Sequence, residues 1–337
     1  MGQRANLAIG NADGYELYYS HWCANTLPRD LFWGPSHAFE FVSRQRKVDP
    51  VAGWLDTVWA EGGAVIDPTS KTLMLFGGED VLYDVPLRRV FLQFLHVAWD
   101  GWTIRWAYEG IADIAEFLGV PRETVIVESR DEDDCVQSLN PPEEKGWLQT
   151  IGTFLIDERL KIFPLPGLPE DYVLGGPDLL EASATETHFE AFDVSSWTNE
   201  FPLGGFHVSA AERRLHFWIA NDCPNLESEA KSVWRDWEVV WHRDQYESQV
   251  ELANSRIVMN ARSRPELMED VIATLDKDSK PVDVLGLARR LAEHDEGRIK
   301  INPMALRDDR IEVSPERRRE LLARCVAAVN SGERDVQ

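Results

Sequence analysis

Few residues in this sequence point to a known chemistry. It holds no Gly-rich phosphate loop, no zinc-ligand spacing, no nucleophile elbow and no complete catalytic triad. Cysteine is scarce. Cys23, Cys135, Cys223 and Cys325 stand far apart with no Cys-x-x-Cys pair, and no secretory segment opens the sequence. Reduced thiols and a cytoplasmic location are therefore expected. No apolar run approaches the roughly 20 residues of a membrane-spanning helix. Positive charge is in deficit, with 35 Lys and Arg against 58 Asp and Glu and a net charge of −23. Free nucleic acid and anionic membrane surfaces carry the same sign, so neither is expected as the main partner. A basic protein is the easier partner electrostatically, although a well-solvated surface explains the same charge without any partner.

What is present is a pattern that returns. The stretch Gly62 to Phe76 reads as two apolar runs around the turn cluster Asp67-Pro68-Thr69-Ser70, a β-hairpin signature. Gly204 to Trp218 repeats its outline: Gly63, Leu73 and Asp80 match Gly205, Leu215 and Asp222, while Lys71 and Phe76 match Arg213 and Trp218 in kind. Farther on, Trp99, Trp102 and Trp106 return with the same spacing as Trp234, Trp237 and Trp241. The intervening helix, with Leu87, Val90, Phe91, Phe94 and Leu95 at helical spacing, is expected to be about two turns shorter in the second copy. Trp102–Trp106 and Trp237–Trp241 alternate like half-buried strands, and the tryptophans are best explained as core.

Each copy is preceded by a further hairpin signature, around Asn11-Ala12-Asp13-Gly14 in the first half and around Asp157-Glu158 in the second. The expected fold is α+β: two related halves, each a β-hairpin/helix/strand/helix unit on a mainly antiparallel sheet, plus a C-terminal helical segment. The boundaries place the first half at 1–127, an acidic linker or loop at 128–146, the second half at 147–260 and the helical segment at 261–337. Within these, 51–60 reads as a helix capped by Asp49, 165–177 as irregular and 187–193 as extended. Three C-terminal helices are expected over 265–275, 282–294 and 315–329, the last with Ser314 as cap. Arg317, Arg318, Arg319 and Arg324 crowd that last helix, and docking on the protein's own acidic body is their expected role.

Two places resemble sites. His21 and Cys23 lie two apart, so on a strand they would face one side as base and nucleophile. Packing plus one hydrogen bond is the plainer reading, because no oxyanion donor or orienting carboxylate can be placed beside them. Gly77-Gly78-Glu79-Asp80, with Asp84 ahead of a helix, would offer oxygen ligands to a divalent cation. Capping of helix amides by Asp80 and Asp84 explains the same carboxylates, and the second copy keeps only Asp222. His188 with Glu190 makes an incomplete metal pair, and His207, His216 and His242 read as isolated strand histidines. No other cofactor is expected. The functional expectation is a non-catalytic, acidic interaction protein, immunity- or inhibitor-like. The alternative is an enzyme or small-ligand or divalent-cation binder with a carboxylate-lined site between the repeats.

Overall fold

The computed structural model describes residues 3–127, 138–276, 285–286, 288–290 and 311–331. The chain divides into two compact units. The first comprises Met1–Gly78, Val90–Val125 and Pro265–Gln337, and the second Glu79–Arg89 and Ile126–Arg264.

The first unit is built on a six-stranded sheet. Strands β1 (Ala5–Asn11) and β2 (Gly14–Ser20) form an antiparallel hairpin, its turn closed by Asp13 N–H donating to Asn11 Oδ1 at 2.9 Å. Helices α1 (Leu27–Phe32) and α2 (Pro35–Arg44) and the edge strand β3 (Arg46–Val48) follow. A second hairpin joins β4 (Gly62–Asp67) to β5 (Thr72–Phe76). The chain then passes through α3 (Glu79–Tyr83) and α4 (Val85–Ala98), which belong to the second unit as far as Arg89, before β6 (Thr103–Trp106) and α5 (Ile111–Phe117). The strand order is β3-β2-β1-β4-β5-β6. Both hairpins are antiparallel, but β1 joins β4 and β5 joins β6 in parallel. Parallel neighbours need a crossover, which is where α1–α2 and α3–α4 lie in the chain.

The second unit repeats that plan. Hairpin β7 (Thr150–Ile156) with β8 (Arg159–Leu165) leads. It is followed by α6 (Pro169–Val173), α7 (Leu179–Thr185) and the two-residue strand β9 (Phe192–Asp193). Hairpin β10 (Gly204–Ser209) with β11 (Arg214–Ile219), helix α8 (Leu226–Val233), strand β12 (Glu238–Trp241) and helix α9 (Glu247–Leu252) complete it. The order β12-β11-β10-β7-β8 matches β6-β5-β4-β1-β2, with β7–β10 and β11–β12 parallel. Strand β13 (Ile257–Val258) pairs with β9. As the sequence predicts, the helix ahead of the last strand is shorter here, 8 residues against 14.

Of the repeated tryptophans, Trp99, Trp106 and Trp234 are buried in the core, and Trp102, Trp237 and Trp241 are half-buried. Trp99 Nε1 donates to Leu31 O at 2.9 Å, and Trp234 Nε1 to Val173 O at 2.6 Å. Each ring stands edge-on to its neighbour, Trp102 or Trp237, with centroids 5.0 Å apart. In the second sheet, Phe154, Phe206, Val208, Leu215 and Phe217 face Tyr172, Leu226 and Trp234. The opposite face carries a smaller cluster of Ile151, Leu160, Ile162, Phe192 and Ile257.

The C-terminal helices belong to the first unit: α10 (Arg264–Asp276), which joins it from Pro265 on, and α11 (Pro315–Asn330), with Ser314 Oγ accepting from Arg317 N–H. α11 buries Leu321, Leu322, Cys325 and Val329. Arg317 donates to Trp33 O at 3.0 Å and Arg324 to Val97 O at 3.3 Å, so this basic cluster docks on its own unit.

Three expectations are corrected. Residues 51–60 form turns rather than a helix: Asp49 Oδ1 caps Val51 and Ala52 N–H for one turn, after which Leu55 N–H leaves to donate to Asn6 Oδ1 at 2.6 Å. The span 165–177 contains α6, too short to show a helical period. The span 187–193 contributes only β9 and a single bridge from Phe189 to Ile162. Residues 128–137 of the expected linker, and most of the expected helix 282–294, lie outside the described residues.

Candidate functional site

His21 and Cys23 lie past the end of β2, so the same-face argument for a strand does not apply to them. His21 Nδ1 is hydrogen-bonded to the Tyr19 hydroxyl at 2.7 Å, and Cys23 is buried. Glu79 and Asp80 sit exposed on the first turn of α3. Asp84 caps α4: its Oδ1 accepts from Leu87 N–H at 2.9 Å, and its Oδ2 pairs with Arg262. Asp222, in the same compact unit as these three, is half-buried, and burial pushes its carboxyl up to about 6. Beside it, Asn221 Oδ1 is buried with no hydrogen-bond partner among the described residues. Among those residues no group of three or more His, Cys, Asp and Glu is placed to hold a metal ion.

The structure gathers residues that the sequence shows singly. Thr153 on β7 stands beside His207 on β10, His207 faces His216 on β11, and His242 follows β12. His207 Nδ1 and Thr153 Oγ1 are hydrogen-bonded at 3.0 Å, and His216 Nδ1 and His242 Nε2 at 2.9 Å, the latter rings stacked. The buried Gln249 of α9 donates from Nε2 to Ile151 O and Phe206 O, each at 2.8 Å, and its Oε1 accepts from Trp218 Nε1 at 2.8 Å. Burial and then the neighbouring His216 push His207 down to about 4. Burial lowers His216 and His242 as well, with His242 also acting on His216.

This row is a departure from the shared plan. Following strand order and register, Thr153, His207 and His216 take the places of Ala8, Val65 and Met74 in the first sheet. His242 corresponds to Ala107, since their N–H groups donate to Phe217 O and Leu75 O respectively. Gln249 takes the place of Ile114: a Cβ on Gly63 would lie 2.9 Å from Ile114 Cδ1, and one on Gly205 would collide with Gln249 Oε1. The architecture therefore forms with apolar residues at all five places, and the polar set is an addition to it. The hairpin register is the signal that joins His207 to His216, and it follows once the turn at Ala210–Arg213 is located.

The same unit holds a buried ion pair. Arg88, fully buried, donates from Nε and Nη2 to Asp244 Oδ2 at 3.2 and 2.7 Å, and from Nη1 to Leu82 O and Ala220 O. Arg89 pairs with Glu247 and donates to Asp244 O at 2.8 Å. These bonds satisfy a buried guanidinium on every side and fix the entry to α9.

A groove of about 470 Å³ also opens on this unit, walled by Pro141, Pro142, Pro166, Tyr172 and the indole of Trp147, with Glu143 and Glu144 in its lining. Trp147 is 65% exposed. Comparison with family models, with curated proteins and with solved structures finds no match to this chain. Fold-level analogy therefore offers no activity, and the site has to be read from its own chemistry.

Proposed function

We propose that this protein is a non-catalytic, acidic interaction protein that binds a basic protein partner, as an immunity protein or inhibitor does. The observation that carries this reading is the fate of its cations. Arg88, Arg89, Arg122, Arg214 and Arg262 are ion-paired, while Arg317 and Arg324 are bound to main-chain carbonyls. Carboxylates outnumber cations by 58 to 35 over the whole chain, and each internal ion pair takes one of each, so the excess of carboxylates is left to set a negative outward field. Such a field draws a basic partner at a rate that falls with ionic strength. Affinity capture from the source cell at low and high salt, with mass spectrometry of what is retained, tests it. The expected result is a stoichiometric basic protein that salt releases; a complex indifferent to salt overturns the reading.

The second reading, a small-ligand or divalent-cation binder using Glu79, Asp80 and Asp222, is favoured by one observation, the perturbed Asp222 carboxyl beside the orphaned Asn221 Oδ1. Its test is Asp222→Asn. Loss of a calcium- or magnesium-induced rise in melting temperature supports it. A wild-type protein that shows no such rise, and whose variant is simply more stable at pH 7, removes it.

A further inference from the structure

We propose that the Trp147 groove receives an arginine side chain of the basic partner, stacked on the indole with its guanidinium meeting Glu143 and Glu144. The inference rests on the interaction reading above and gives it an address. A short turn, Lys145–Trp147, carries the indole, and the Trp147 main-chain N–H donates to Glu144 O at 3.1 Å, which fixes the turn while the side chain stays exposed. Lys145 is engaged over the Trp197 ring at 5.4 Å, and among the described residues neither Glu143 nor Glu144 is ion-paired. The opposing wall is apolar and stiff. Pro141, Pro142 and Pro166 lose no side-chain freedom on binding, and the buried Tyr172 ring is tethered by its hydroxyl, which accepts from Gly167 N–H at 3.2 Å.

Charge and shape together select the occupant. Two carboxylates exclude an anion and demand a cation. A flat aromatic face with an apolar wall favours a planar, weakly hydrated cation on an apolar stem over a compact ammonium. Tryptophan offers the strongest cation–π face among the aromatic side chains, and rim carboxylates can bind the guanidinium fork in bidentate fashion.

Two fluorescein-labelled peptides of equal charge, nona-arginine and nona-lysine, serve as probes in a polarisation titration of the full chain at low salt. The expected result is tighter binding of the arginine peptide to the wild type by about fivefold or more. Trp147→Ala lowers its affinity about tenfold while the lysine peptide changes less than twofold, and Trp147→Phe restores part of the loss. Glu143→Gln with Glu144→Gln weakens both peptides. If the arginine peptide binds wild type and Trp147→Ala alike, the groove proposal falls and charge-driven binding stands. If neither peptide binds in a salt-sensitive way, both fall. Trp147 is exposed, so its variants leave the core untouched.

Discussion

Gly205 shows how one missing side chain sets the chemistry around it. With no Cβ there, Gln249 can lie flat on β10 and satisfy Ile151 O, Phe206 O and Trp218 Nε1 together. An added Cβ would meet Gln249 Oε1 and stand 2.8 Å from Trp218 Nε1. Gly205→Ala is expected to lose about 2 kcal/mol or more, from overpacking and from buried polar groups left unpaired. Urea unfolding measures it, and Gln249→Ala in the same chain should recover part of the loss. The match of Gly63 to Gly205 is plain in the sequence. That one glycine faces Ile114 and Phe76 while the other faces an amide and an indole N–H is not, because the facing residue comes from a helix far along the chain. Asp84 as a helix cap was legible from its place before Pro86. The pairing of Arg88 with Asp244 was not, since no local pattern announces a partner 156 residues away.

At the scale of elements, hairpins announce themselves and crossovers do not. Alternation and turn residues mark β1–β2, β4–β5, β7–β8 and β10–β11, and each is a hairpin in the structure. The parallel joins β1–β4 and β7–β10 carry no such mark, and α1 and α6, at 6 and 5 residues, are too short to show a period. The histidine row is a property of this level, assembled by strand register from residues that look isolated in the chain. It makes the second unit sensitive to acid. An unfolded His207 protonates near 6.5, whereas the folded ring stays neutral down to about 4, so the unfolded state binds the extra proton and stability is lost as pH falls through that window. From this residue alone the expected loss between pH 7 and pH 5 is about 2 kcal/mol. His207→Val, which installs the residue type of Val65, should flatten that part of the profile. Asp222, raised toward 6, acts with the opposite sign, so the difference between wild type and variant is the quantity to measure.

The whole molecule carries −23 at neutral pH. Like charges spread over one surface oppose compaction, and salt screens them over about 10 Å at 0.1 M. Raising sodium chloride from about 0.02 M to about 0.5 M is therefore expected to raise the melting temperature by a few degrees. A melting temperature that holds still or falls would mean that the negative surface is already balanced within the fold. The same screening weakens a complex with a basic partner, so salt should stabilise the free protein while dissolving its assembly.

The order in which the chain is made sets a timetable for its folding. Glu79–Arg89 leaves the ribosome early, yet its compact unit also needs Ile126–Arg264, and the carboxylate that neutralises Arg88 is 156 residues downstream. At about 5–20 residues per second, that guanidinium waits on the order of ten to thirty seconds for its counter-ion. The first unit waits longer, because Pro265–Gln337 is translated only after the second unit's Ile126–Arg264. The first unit cannot be completed until the whole of the second has been translated, so up to Arg264 the nascent chain carries two unfinished units at once. A ribosome stalled just before Asp244 should display a chain that proteases cut within both units, and one released after the last helix should not.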